Sequence, residues 1–240
     1  MNYTPEEIAA FMRSIELLPG NDDRYLVTDK MKKDNPVLCG RHIIFLGSSV
    51  TFGAMSLEQS FVECLAAMDG VIPYKEAVSG TTLVNTEQDG SSYVERILTI
   101  PREWKADALI CQLSTNDATQ GKKMGAVSAS QKISAFDCST IAGAMEFIIA
   151  FAGMTWHCPI IFYTGTRYDS PQYQQMVDLL REIQKKWEIG VIDLWNDPDM
   201  LAVSPEDYAL YMADGIHPTR AGYLCWWTPK FETFLTAFLK

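Results

Sequence analysis

Several features that mark whole classes of protein are missing from this sequence. No stretch approaches the roughly 20 consecutive apolar residues that a membrane-spanning helix needs. Residues 1–7 have neither the basic nor the apolar region of a secretory signal. Positive charge is scarce, with 20 Lys and Arg against 30 Asp and Glu and a net charge of −10. A nucleic-acid partner requires a basic face. We therefore expect no membrane span and no nucleic-acid partner.

The cysteines show no pattern that would form a metal site. There are six, and none forms a C-x-x-C pair or another spacing typical of metal ligands. Several lie within apolar stretches, such as Cys111 in Leu109-Ile110-Cys111. Scattered cysteines of this kind are typical of small buried thiols in a reducing compartment. We expect a cytoplasmic protein without a structural metal ion.

What is present is an alternation of strand-like and helix-like segments. The 240 residues are 48% hydrophobic and 21% charged, as in an ordinary globular protein, and they fit one domain over residues 1–240. Apolar runs of strand length occur at 42–46, 71–76, 108–113, 160–164 and 191–194. Several are apolar throughout, which is typical of strands covered on both faces. This pattern predicts an α/β fold, a three-layer α/β/α sandwich with a five-stranded, mostly parallel, flavodoxin-like sheet.

The connecting segments carry helix signals. The clearest begins at Ser170-Pro171, an N-cap followed by proline, and continues as an apolar stripe to Trp187. Gly190 is predicted to end it in a left-handed conformation. Further helices are predicted at 57–68, ending near Gly70, and at 139–151.

Two segments lie outside this alternation. Residues 1–35 precede the first strand and contain an amphipathic helix with Ile8, Phe11, Met12 and Ile15 on one side. We interpret them as an N-terminal helical elaboration packed on the domain. The polar segment 121–131 is predicted to be an exposed loop beside the functional site.

In parallel sheets, ligand sites form at the carboxyl ends of the strands, and three candidate residues follow strands here. Ser49 follows the first strand, where a hydroxyl in a tight turn can act as a nucleophile, although a helix cap is the commoner role. Gly80 follows the second and can bring its backbone N–H close to a ligand, or simply form a turn. Asn116 follows the third and can donate from its carboxamide, or form an Asx-turn.

A fourth candidate is the pair Asp214 and His217 in Asp214-Gly215-Ile216-His217. Histidine exchanges a proton near neutral pH, and a carboxylate three residues earlier can hold its tautomer. The other two histidines, His42 and His157, lack such a partner and are interpreted as structural.

Taken together, Ser49, Gly80, Asn116 and Asp214-x-x-His217 resemble the motifs of the SGNH hydrolase superfamily, the GDSL esterases and lipases, from about residue 41 to residue 222. The resemblance implies that Ser49 is the nucleophile, His217 the general base and Asp214 the third member of a Ser-His-Asp triad. It also implies that the N–H groups of Ser49 and Gly80, with the Asn116 side chain, form the oxyanion hole. No cofactor is expected.

The sequence departs from the family pattern at two positions. Ser48 replaces the usual aspartate of Gly-Asp-Ser, and Ser114 replaces the glycine that begins the Asn116 motif. Neither residue transfers a proton in the family mechanism. The departures concern the geometry of the turns and the rim of the pocket.

Several rival interpretations fit fewer residues. An α/β-hydrolase elbow requires glycine where Thr51 stands, and a dinucleotide site requires a second glycine after Gly47. A non-catalytic flavodoxin-like module that binds phosphate or FMN would leave Asp214 and His217 without a role. A ligand-binding relative without activity is disfavoured because every functional position is filled.

The resemblance leaves the substrate open among acetylated sugars, lysophospholipids, thioesters and simple esters. We interpret the protein as an esterase or deacetylase for small acyl groups, acetyl above all, on carbohydrate or similar alcohols; a lysophospholipase or thioesterase is the alternative. Four aromatic residues are candidates for stacking on a sugar, although such residues are more often part of the core. They are Tyr168, Trp195, Trp226 and Trp227.

Overall fold

A parallel sheet of five strands organises the fold in a computed structural model, which describes residues 4–240. The strands are β1 (His42–Gly47), β2 (Ile72–Ala77), β3 (Ala108–Gln112), β4 (Ile160–Tyr163) and β5 (Gly190–Ile192). Their spatial order is β2-β1-β3-β4-β5, and every neighbouring pair is parallel. The predicted α/β class is confirmed, and each predicted strand lies within two residues of the observed one.

Helices connect the strands and extend the chain at both ends. They are α1 (Pro5–Glu16), α2 (Ser49–Phe52), α3 (Phe61–Asp69), α4 (Tyr93–Ile97), α5 (Thr115–Thr119), α6 (Ile141–Trp156), α7 (Pro171–Trp187), α8 (Pro198–Leu201), α9 (Pro205–Tyr211) and α10 (Thr228–Phe238). A π-helical turn, Gly222–Trp227, leads directly into α10. Within residues 4–240, no helix combines the length and the apolar character needed to cross a bilayer.

Strands β1, β3, β4 and β5 are buried on both faces, which explains why they are mostly apolar. Strand β2 lies at the edge of the sheet, is partly exposed and contains Lys75 and Glu76. In β1, Ile44 and Leu46 point to the core beneath α4, α6 and α7, whereas Ile43 and Phe45 point to the core beneath α3 and α10. Successive strand side chains point to opposite faces, so an apolar strand without alternation must be covered on both sides. The result is the three-layer α/β/α arrangement.

The helix boundaries follow the capping residues. The predicted helix 57–68 begins only at Phe61, because Leu57 and Glu58 have left-handed backbone conformations and Ser60 caps α3 with Glu63 in a capping box. Helix α3 ends at Gly70, as predicted, and Gly70 has a left-handed conformation there. The predicted helix 139–151 begins two residues later, after the N-cap Thr140, and continues to Trp156.

The prediction that Gly190 ends α7 is wrong. The left-handed residue that ends this helix is Glu188, with a φ of 55°, and Gly190 is the first residue of β5. A Cβ atom at Gly190 would lie 2.9 Å from Ile161 and 3.1 Å from both Phe234 and Phe238. Close packing against β4 and α10 therefore explains this glycine.

The N-terminal segment contains the predicted helix, but most of the apolar side of that helix is exposed. Helix α1 forms as predicted, capped by Thr4, but of its four apolar residues only Ile15 is buried, while Ile8, Phe11 and Met12 are exposed. The turn that follows α1, Pro19–Asn21, contains two buried residues, Gly20 and Asn21. Ile15, Gly20 and Asn21 are thus the buried residues of the segment 4–35.

The order of the strands places a crevice between β1 and β3. The chain passes from β1 to β2 on one side, and then returns to β3 on the other side of β1. At such a reversal the loops after the two strands diverge and leave an open crevice at the carboxyl edge. Ser49 follows β1 and Asn116 follows β3, so the topology directs both towards this crevice.

Candidate active site

Ser49 is the first residue of α2, immediately after β1, and is almost fully buried. The turn that carries it is held from β3 by Gln112, whose side-chain oxygen accepts from the Ser48 N–H at 2.9 Å and from the Thr51 hydroxyl at 2.9 Å. A Cβ atom at Gly47 would lie 1.8 Å from the Thr51 hydroxyl, so only glycine fits there. Ser49 is thus fixed at the carboxyl end of β1.

A continuous row of hydrogen bonds joins Ser49, His217 and Asp214. The Ser49 Oγ lies 2.8 Å from His217 Nε2, and His217 Nδ1 lies 2.8 Å from Asp214 Oδ2. An ionised carboxylate only accepts, so Nδ1 carries the proton and Nε2 accepts from the serine hydroxyl. In this arrangement the imidazole can remove the proton of Ser49 while Asp214 stabilises the charge that develops.

The environment of Asp214 keeps it ionised. Burial opposes ionisation, but hydrogen bonds from the His217 side chain and from the backbone N–H groups of His217 and Ile216 outweigh it and lower the pKa of Asp214 to about 2. The two backbone bonds are both 2.7 Å long. One carboxylate therefore orders the loop and orients the imidazole.

The loop that carries Asp214 and His217 is closed at its base. Met212 and Pro218 form an isolated antiparallel bridge, and the Ala213 N–H donates to the His217 carbonyl at 2.9 Å. The Thr219 hydroxyl donates to the Leu210 carbonyl at 2.8 Å. These contacts fix the position of the imidazole relative to α9.

Gly80 lies on the loop after β2 and Asn116 lies in α5, and a hydrogen bond joins the two segments. Gly80 is exposed with a φ of 82°, and a Cβ atom there would meet nothing within 4 Å, so the left-handed conformation alone accounts for glycine. The Asn116 Nδ2 donates to the carbonyl of Thr81, next to Gly80, at 2.9 Å. Its second N–H bonds to no acceptor in the part of the chain that the structure describes. It can therefore donate to a ligand.

The side chains of Asp117 and Arg96 fix the loop after Gly80 by hydrogen bonds. The Asp117 carboxylate accepts from the N–H groups of Leu83 at 2.7 Å and Val84 at 3.2 Å. Burial raises the pKa of Asp117 to about 6 against the opposing effect of these bonds. The buried Arg96 guanidinium donates to the Gly47 carbonyl at 2.7 Å and to the Thr81 hydroxyl at 3.0 Å.

Three of these supporting residues were missed from the sequence. Asp117 stands beside Asn116 and Gln112 ends an apolar strand, so each offered a weak local signal as a polar residue at the predicted site. Arg96 offered none, because it lies on α4 and reaches β1 only in the folded chain.

The departures from the family pattern are buried. Ser48 and Ser114 are both fully buried, so neither lines the rim of a pocket. Ser114 is the N-cap of α5, where its hydroxyl accepts from the Asp117 N–H at 3.3 Å. Its role in the structure is to begin the helix that carries Asn116.

The aromatic candidates divide between core and surface. Trp195 and Trp227 are buried and belong to the two cores on either side of the sheet. Tyr168 is half-buried and packs against Trp195. It also lies beside Gly215 of the histidine loop, where an added Cβ atom would be 3.8 Å from the Tyr168 Cβ. Trp226 is half-buried and stacks on Tyr211. Tyr168 is thus the aromatic candidate that borders the histidine loop.

The remaining histidines lie elsewhere in the fold. His42 begins β1 and packs edge-on against Trp104, and His157 ends α6 in a left-handed conformation. Within residues 4–240, no three His, Cys, Asp or Glu side chains are grouped so as to hold a metal ion.

Comparisons with known proteins identify relatives of this arrangement. A match to the GDSL-like Lipase/Acylhydrolase family spans residues 45–224. The fold is similar to that of a protein from Lactobacillus plantarum, with a TM-score of 0.68, 19% identity and coverage of 83% of this chain and 98% of that one. No curated protein matches the sequence.

Two further solved structures share the fold. One is a member of the lipolytic protein G-D-S-L family from Veillonella parvula, with a TM-score of 0.57, 17% identity and coverage of 83% of this chain and 98% of that one. The other is a carbohydrate esterase family 2 enzyme with a carbohydrate-binding domain from Corynascus thermopiles (Myceliophthora fergusii), with a TM-score of 0.51, 15% identity and coverage of 87% and 67%, respectively. At these identities the likeness concerns the fold alone.

Proposed function

The chain belongs to the GDSL-like lipase/acylhydrolase family, and from that premise we propose that it hydrolyses carboxylic esters through an acyl-enzyme on Ser49. The observation that carries the proposal is the row of hydrogen bonds from Ser49 Oγ to His217 Nε2 and from His217 Nδ1 to Asp214, each 2.8 Å long. A buried serine hydroxyl, an imidazole and an ionised carboxylate in this order are the parts of nucleophilic acyl transfer. A phosphate- or FMN-binding module would have no use for them.

The reaction proceeds in two halves. His217 accepts the Ser49 proton as the Oγ attacks the ester carbonyl, and then gives that proton to the departing alcohol. Water gives a proton to the same imidazole as it attacks the acyl-enzyme; the bond to Ser49 Oγ then breaks, His217 returns the proton to that oxygen, and the acid leaves. Asp214 keeps its charge throughout and stabilises the imidazolium.

Three donors are proposed to stabilise the tetrahedral oxyanion. They are the N–H of Ser49 in the first turn of α2, the N–H of Gly80 and the free N–H of Asn116. The N–H groups of a first helical turn have no partner within their own helix, so the Ser49 N–H suits an anion. Losing one such donor typically raises the barrier by about 2.7–4 kcal/mol.

We propose small acyl groups on carbohydrate or similar alcohols as the substrate class. The site is open to water, since the Asp214 side chain is 48% exposed, the His217 side chain is 22% exposed, and Val78 to Gly80 form an exposed edge. Long acyl chains bind tightly only where their methylene groups are buried, since each buried methylene stabilises binding by about 0.8 kcal/mol. An open, polar site offers little of that burial and therefore favours short acyl chains. One structural neighbour is a carbohydrate esterase, in agreement with this class.

The test is a series of p-nitrophenyl esters of increasing acyl length, measured on wild type, Ser49→Ala and Ser48→Ala. Ser49→Ala should lower kcat by several orders of magnitude. Ser48→Ala removes a neighbouring buried hydroxyl that makes no hydrogen bond to His217 or Asp214 in the described residues, and should retain activity. Asn116→Ala should lower kcat roughly 10²–10³-fold with little change in KM.

Two outcomes would contradict the proposal. Wild-type activity in Ser49→Ala would exclude Ser49 as the nucleophile. A rate that rises steadily with acyl length would contradict the small-acyl substrate class and favour the lysophospholipase or thioesterase alternative.

A further inference from the structure

Asn21 is a buried polar residue in the N-terminal segment, outside the part of the chain that matches the family. It ends the turn Pro19–Asn21 and is 3% exposed. Its Nδ2 donates to the carbonyls of Ile15 at 2.8 Å and Met55 at 2.9 Å. Its Oδ1 accepts from the N–H of Arg220 at 2.9 Å. Both donors and the acceptor of this carboxamide are therefore used.

The partners of Asn21 belong to the two loops that carry the nucleophile and the base. Met55 lies in the turn that follows α2, which begins at Ser49. Arg220 follows His217 closely, and its guanidinium also donates to the Asn21 carbonyl at 3.1 Å. One side chain thus joins the segment after Ser49 to the segment after His217.

Gly20 brings this turn into direct contact with the histidine loop. A Cβ atom on Gly20 would lie 2.1 Å from the Leu210 carbonyl oxygen and 2.2 Å from the Thr219 hydroxyl. These are the two atoms whose hydrogen bond, 2.8 Å long, closes the base of the loop. The Pro19–Asn21 turn is therefore packed against the foot of the loop at the distance that only glycine permits.

We infer that Asn21 is a positioning residue that sets the distance between Ser49 and His217, an inference that rests on the proposed function. The two loops come from opposite ends of the chain. The side chain at position 21 must supply two donors for the two carbonyls and one acceptor for the Arg220 N–H. A carboxamide has this combination, and aspartate or leucine lacks it. Without the carboxamide, the carbonyls of Ile15 and Met55 and the N–H of Arg220 each lose a hydrogen-bond partner, and the loops are free to separate. A displacement of about 1 Å between reacting groups can reduce turnover roughly 10²-fold.

The experiment compares Asn21→Ala and Asn21→Asp with Ile15→Ala. Ile15→Ala is the matched control, because it loosens the same N-terminal segment by removing its one buried helical side chain but keeps every bond of Asn21. Each variant is measured for kcat and KM on p-nitrophenyl acetate, for Tm, and for hydrogen–deuterium exchange of residues 211–220.

Asn21→Ala should lower kcat roughly 10–100-fold, change KM by less than about twofold, and accelerate exchange at 211–220. Asn21→Asp keeps the acceptor for Arg220 but places an acceptor oxygen, instead of the two donors, against the carbonyls of Ile15 and Met55, so its kcat should fall at least as far as that of Asn21→Ala. If Asn21→Ala does not fold, Asn21→Asp decides the question by the same measurements. Ile15→Ala should lower Tm and retain kcat and the exchange pattern.

Equal kcat values in the Asn21 variants and in Ile15→Ala would overturn the inference, because Asn21 would then contribute only to stability. Unchanged exchange at 211–220 in the Asn21 variants would overturn it as well. If the wild-type protein hydrolyses no ester, the proposed function fails by itself, and the exchange comparison still decides whether Asn21 holds the histidine loop.

Discussion

Replacing Arg96 by lysine should damage both stability and turnover, although the charge is kept. Arg96 is 5% exposed. Its guanidinium makes five hydrogen bonds, to the carbonyls of Ser91, Glu76 and Gly47, to the Glu76 carboxylate and to the Thr81 hydroxyl. A lysine ammonium has three donors on one nitrogen, so at least two of these five acceptors lose their partner.

The magnitude follows from the number of partners lost. A buried polar group without a partner costs about 1–3 kcal/mol, and disrupting a buried charge cluster costs about 3–5 kcal/mol in total. We expect the free energy of unfolding to fall by about 3–5 kcal/mol. Gly47 precedes the turn that carries Ser49, and Thr81 follows Gly80, so kcat should fall about tenfold while KM changes less.

Urea unfolding and p-nitrophenyl acetate kinetics measure the two effects. Arg41→Lys is the matched control, because Arg41 is 38% exposed and lies before β1, at the opposite edge of the sheet from Ser49. It should alter the free energy of unfolding by less than about 0.5 kcal/mol. A loss below about 1 kcal/mol in Arg96→Lys, with unchanged kcat, would refute the reasoning that Arg96 supports both loops.

Two further predictions concern stability. The pKa of Asp117 is raised from 3.8 to about 6 by burial, so the native state binds the proton more tightly and the free energy of unfolding should fall as pH rises from about 4 to 6. Urea unfolding across this range should show that fall in wild type, and the difference from Asp117→Asn should track it; a constant difference would contradict the prediction. Glu146→Gln should cost about 3 kcal/mol, because Glu146 is fully buried, accepts from the Ser128 N–H and is paired with Lys186. Limited proteolysis should then cut within 121–131, and equal cutting in the exposed control Glu103→Gln would contradict the prediction.

The elements with local signals could be predicted from the sequence. Strands β1, β3, β4 and β5 could be predicted because a strand buried on both faces is mostly apolar, whichever helices cover it. Strand β2 is a partly exposed edge strand with Lys75 and Glu76, and its apolar signal is weaker. The start of helix α7 could be predicted because its signals are local: the Ser170 hydroxyl accepts from the Tyr173 N–H, and Pro171 needs no N–H partner in the first turn. The errors occurred where backbone conformation overrode the apolar pattern, at Leu57 and Glu58 before α3 and at Glu188 after α7.

For the candidate site too, the residues with local motifs could be predicted, whereas their contacts could not. Short motifs predict the five candidate residues, Ser49, Gly80, Asn116, Asp214 and His217. The first three follow strands, and a parallel sheet brings the ends of its strands to one edge. Only the tertiary structure decided that Ser49 and His217 are 2.8 Å apart and that Ser48 and Ser114 are buried away from any rim. It also decided that Gln112, Arg96 and Asn21 support the site. These bonds join residues as many as 199 positions apart, between Asn21 and Arg220, and no local pattern records a contact that forms only when distant segments pack together.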